Sequence, residues 1–122
     1  MTRGEFRGLV ETALDHIPDE FRLAMTNLQI VIEDWPNPDV MAEVTGDPDD
    51  VLYGLYTGTP LPDRGADYGN TTPDVITLYQ GPLEEDFPEQ DELIYEIEVT
   101  LVHEIAHYFG FDEDTVERYG YD

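Results

Sequence analysis

Apolar residues at Phe6, Leu9, Val10, Ala13, Leu14 and Ile17 recur at helical intervals, and Thr2-Arg3-Gly4-Glu5 ahead of them has capping-box spacing. The pattern predicts one packed helix that Pro18 ends. His16, near its end, is expected to interact with the helix C-terminus. Leu28, Ile30 and Ile32 alternate with Gln29, Val31 and Glu33, which predicts a first strand closed by Trp35-Pro36. Residues 36–50 are rich in Pro and Asp and read as a loop with one helical turn around 40–44. Residues 51–57 and 74–80 read as two further strands. The loop between them, 58–73, carries Arg64, for which a structural ion pair is expected over a substrate carboxylate. A second loop over 81–90 leads into a long helix, 91–109.

At about 100° per residue, Glu92, Glu96, Thr100, His103 and His107 fall on one stripe of that long helix, with Glu104 at its margin. Tyr95, Val99, Val102 and Ala106 are assigned to the opposite face, and Ile94, Leu101, Ile105 and Tyr108 extend the apolar surface around it. A helix apolar over so much of its circumference is buried, so only the histidine stripe is left to face a cleft. Glu98 interrupts the apolar side with no partner evident from the sequence. The element order predicts an α+β or α/β layer over 1–122 as one domain: a small twisted sheet packed on the N-terminal helix and the long helix.

Composition narrows the function classes. Five arginines, no lysine and 29 acidic residues give a formal charge of -24, which repels nucleic acid and anionic membranes and attracts basic peptides or proteins. A solubility adaptation produces the same surface. With 40% hydrophobic and 11% aromatic residues, the chain is expected to fold rather than remain disordered. Without cysteine it forms neither a disulfide framework nor a thiolate metal site. The first segment reads as an amphipathic helix rather than a signal peptide, and a cytoplasmic location is the expectation.

The chemistry concentrates in His103-Glu104-Ile105-Ala106-His107-Tyr108-Phe109-Gly110-Phe111-Asp112-Glu113. Residues i and i+4 project from one side of a helix, so His103 and His107 can present two imidazole nitrogens to one zinc ion, and Glu104 lies where a general base for an activated water belongs. Gly110 can stop the helix in the left-handed conformation and let the reversed chain bring Glu113 back as a third ligand. Asp112 and Asp114 flank Glu113 and compete for that role. Asp112 also reads as the N-cap of a short last helix, 113–119.

At these residues the chain resembles the minimal zincins, a bacterial group of small zinc metallopeptidases with an HExxHxxGxx(D/E) motif. The resemblance extends to the N-terminal helix ending in Ile17-Pro18, the 54–61 segment GLYTGTPL and the 75–79 strand VITLY. It implies zinc bound by His103, His107 and Glu113, Glu104 as base, and a peptide or protein substrate held along an edge strand above the metal helix. Both 51–57 and 75–80 are candidates for that strand. The chain departs from larger metzincins in its acidic third ligand and in having no methionine after the motif, since Met1, Met25 and Met41 all precede it. Nine residues follow Glu113 in this sequence, and a lower cleft wall is therefore not expected. Tyr119 and Tyr121 stand beyond the motif as candidates for the oxyanion partner. Two other readings stay open. In one, Asp112 or Asp114 closes the coordination sphere and zinc is structural in a regulatory or protein-interaction domain; in the other, the peptidase acts only with a partner.

Overall fold

Three short strands form a mixed sheet whose spatial order differs from the chain order. In the computed structural model, which describes residues 1–22, 28–47, 50–58 and 74–109 apart from the side chains of Glu20, His107, Tyr108 and Phe109, β1 (Leu28–Glu33) runs parallel to β3 (Asp74–Tyr79). The strand β2 (Gly54–Thr57) runs antiparallel to β3 on its other side. The register sets Ile30 opposite Ile76, and both Ile32 and Gly54 opposite Leu78. Alternation then sends one row of side chains inward, and Ile32, Ile76 and Leu78 are buried there.

The helix α1 (Arg3–His16) carries the capping box its sequence predicts. The Thr2 side chain accepts from Glu5 N–H, and the Glu5 carboxylate accepts from Thr2 N–H. Phe6, Val10 and Ala13 bury its inner face. Pro18 ends α1 but also starts a short second helix, α2 (Asp19–Arg22), because its carbonyl accepts from both Phe21 and Arg22 N–H. Phe21 is thereby turned into the core. The turn expected around 40–44 is a longer helix, α3 (Pro38–Val44), started by Asn37, whose side chain accepts from Asp39 N–H at 2.8 Å.

The loop expected over 81–90 is instead mostly helical: α4 (Gln80–Asp86) begins directly after β3. Gly81 and Pro82 look like breakers, yet in the first turn the missing N–H of proline costs nothing, since it would have no partner within the helix. The Arg3 guanidinium draws three elements together at this end. It donates to Gln80 Oε1 at 2.8 Å and to the Ile32 carbonyl at 2.5 Å, and it pairs with Asp34.

The long helix α5 (Gln90–Phe109) packs against α1 and against the inner face of the sheet. Leu93, Ile97, Leu101, Val102, Ile105 and Ala106 are buried in one cluster with the apolar residues of α1 and the sheet. The expected opposite face is corrected here: Tyr95 is 49% exposed, and Val99 lies beside the histidine stripe. At about 100° per residue, Val99 falls next to Glu92 and His103 rather than across from them. Glu98, without a partner in the sequence pattern, faces α1, where its Oε2 lies 3.6 Å from His16 Nδ1. His16 therefore reaches across to α5 as well as standing in the last turn of its own helix.

Arg64 and the rest of the loop over 59–73, and the short helix expected over 113–119, lie outside the described residues. Among the described residues no helix is long and apolar enough to cross a membrane.

Candidate functional site

The site is built where β2 crosses α5. Gly54 makes that crossing close: a Cβ there would fall 2.6 Å from Thr100 Cγ2, so only glycine lets the strand lie so near the helix. The Thr100 hydroxyl turns back to its own helix and donates to the Glu96 carbonyl at 2.8 Å, leaving its methyl against Gly54.

Among the described residues β3 is flanked on both sides and β2 on one, so of the two candidate edge strands the pairing order selects β2. Tyr79 N–H donates to the Tyr53 carbonyl at 2.9 Å. In an antiparallel ladder the backbone groups alternate in direction, so with Tyr53 bonded inward, Leu55 and Thr57 also turn toward β3 while the N–H and C=O of Gly54 and Tyr56 face away from it. The Tyr56 N–H meets the Glu104 carboxylate there, donating to Oε1 at 2.7 Å. No periodicity argument predicted this bond, since it joins residues 48 positions apart. The glycine inside the LYGLYT run was its one sequence signal, marking close backbone approach.

His103 and Glu104 are both half-buried and line one groove of about 340 Å³ with Gly54, Glu96, Val99 and Thr100. Burial and the neighbouring Glu92 carboxylate raise the pKa of Glu96. At the far wall, Tyr53 donates its hydroxyl to Asp86 Oδ2 at 2.5 Å. Burial, that bond and the charges of Asp86 and Glu96 push its phenol up to about 12.

His107 lies in the same unbroken helix one turn beyond His103; its side chain, like Asp112, Glu113, Asp114, Tyr119 and Tyr121, is outside the described residues. Among the described residues no three metal-ligating side chains come together. Of the ligands the motif implies, the His103 imidazole is the one whose side chain is described; it is half-buried, borders the groove, and is a donor of a kind zinc takes.

The fold thus sets an HExxH sequence on a helix that a strand of a small α+β sheet crosses. A family model described as zincin-like metallopeptidase matches residues 25–121, and the chain belongs to that family. The match spans β1 through the motif and beyond it, and the α+β layer agrees with it. No curated protein matches the chain.

Proposed function

We propose that this protein is a zinc-dependent metallopeptidase in which His103, His107 and Glu113 hold the metal and Glu104 is the general base. The observation that carries the reading is the Glu104 carboxylate at the open edge of β2, fixed by the Tyr56 N–H. An extended peptide laid along the side of β2 that faces away from β3, where the Gly54 backbone N–H and C=O point, would bring a scissile amide to the same groove that His103 and Glu104 border. Zinc, when bound, supplies Lewis-acid chemistry, acidifying water and polarising a carbonyl. Glu104 takes a proton from the attacking water as its oxygen bonds to the carbonyl carbon. It then delivers that proton to the amide nitrogen as the C–N bond breaks, so that the amine leaves neutral.

The test has two stages. Metal content measured on protein purified without an immobilised metal column should be about one zinc per chain and should fall to background in His103→Ala. Glu104→Gln should keep the zinc and lose hydrolysis of unstructured protein substrates by on the order of 10²- to 10⁴-fold. Equal rates in wild type and Glu104→Gln would sink the catalytic assignment. Failure to take up added zinc would sink the metal-centre reading.

A further inference from the structure

Trp35 is the chain's only tryptophan, and it stands at the surface. It is 57% exposed and lines, with Met41, Val51 and Pro82, a groove of about 240 Å³ that Asp50, Glu85 and Asp86 also line. The indole is seated rather than loose. It lies so close over Gly81 that a Cβ there would fall 2.2 Å from Trp35 Cε2, and Gly81 N–H donates to the Asp34 carbonyl at 2.7 Å. On its other side Trp35 borders a second depression with Asp34, Glu84 and Glu85. Arg3, the nearby base, is already engaged by Asp34, Gln80 and the Ile32 carbonyl.

The groove adjoins the cleft. Val51 and Leu52 line both it and the groove of His103 and Glu104, and the chain then runs directly into β2. Tyr53 and Asp86 join the two across their 2.5 Å hydrogen bond. A peptide laid along the side of β2 that faces away from β3 and continuing past Val51 would therefore meet Trp35.

We propose that the Trp35 groove is a docking subsite for an arginine- or lysine-bearing segment of the peptide that occupies the cleft. The face of an indole attracts a cation, and the carboxylates of Asp50, Glu85 and Asp86 complement its charge. The apolar lining residues take the methylene stem of a long basic side chain. The proposal deepens the peptidase reading, and rests on it for what the docked peptide is for.

The test uses a short end-blocked peptide of alternating arginine and leucine, with a glutamate-leucine peptide as counterpart. It is titrated into the full chain carrying Glu104→Gln at physiological salt, and Trp35 emission reports directly on the groove. The arginine peptide should shift that emission saturably and the glutamate peptide should not. By calorimetry, Trp35→Ala should weaken binding by about fivefold, and so should Glu85→Gln with Asp86→Asn. Neutralising Glu11 and Asp15 on the exposed side of α1 should change it less than about twofold. No binding, binding with no change in Trp35 emission, Trp35→Ala equal to its parent, or an equal loss from the α1 pair would each overturn the docking site. The two readings fail separately. Binding at Trp35, with zinc-loaded wild-type protein that hydrolyses no unstructured substrate, overturns the peptidase reading, whereas hydrolysis by wild type with Trp35 uninvolved overturns this one.

Discussion

The backbone N–H of Tyr56 in β2 donates to the Glu104 carboxylate in α5 at 2.7 Å, so the proposed base also tethers an edge strand to the motif helix. The two roles separate by substitution. Glutamine keeps an oxygen that accepts from Tyr56, whereas alanine leaves that N–H without its carboxylate. Glu104→Gln is therefore expected to unfold in denaturant close to wild type, and Glu104→Ala to lose about 1–2 kcal/mol. Both should be inactive. Equal stability of the two variants would show that the bond contributes nothing to holding β2.

The closeness of β2 to α5 rests on Gly54. A methyl placed there meets Thr100 Cγ2 at 2.6 Å and the Thr77 carbonyl at 3.3 Å, so Gly54→Ala is expected to cost about 1–3 kcal/mol by pushing the strand off the helix. Thr100→Ser removes the obstructing methyl while retaining a hydroxyl for the Glu96 carbonyl. In a double-mutant cycle the pair should then cost less than the sum of the single changes. Strict additivity would mean that Thr100 is not what the new methyl strikes.

The elements read correctly from the sequence are those whose evidence is local. Apolar spacing and the Thr2–Glu5 box specify α1, and alternation specifies β1, because both signals lie within the segment itself. The choice between β2 and β3 as the edge was not legible, since it depends on the order in which strands pair. The helix α4 was hidden by Gly81 and Pro82, residues that break a helix interior but not its first turn. Glu98 and His16 are 82 positions apart in sequence, so their contact follows only from the packing of α1 on α5. The motif was legible as spacing; the Tyr56 amide at Glu104 was not, because a backbone donor leaves no side-chain signature.

Tyr53 offers a readout of the far wall of the cleft. Its phenol is pushed up to about 12 from 10.0, first by burial and then by Asp86. A folded pKa raised above the unfolded one means that the O–H form stabilises the fold fully below pH 10 and loses that contribution as pH rises through about 12. Phenolate absorbance in an alkaline titration should show a tyrosine ionising near that upper value, and Tyr53→Phe should delete the step. Its survival in the variant would assign it elsewhere.

Glu96 tests the polarity of the same groove at the acidic end of the scale. Burial, and then the charge of Glu92, raise its pKa above the ordinary 4.5. The protonated form is thus the one the fold favours, and this stabilisation is fully present below pH 4.5 and lost as pH rises through the folded value. At neutral pH the ionised side chain works against folding. Glu96→Gln, which keeps the shape and removes the charge, should raise the midpoint of thermal unfolding at pH 7, and the gain should shrink as the pH is lowered toward 4. A gain that is the same at both pH values would mean that glutamine stabilises by some contact of its own, and a loss at pH 7 would mean that the Glu96 charge has a favourable partner.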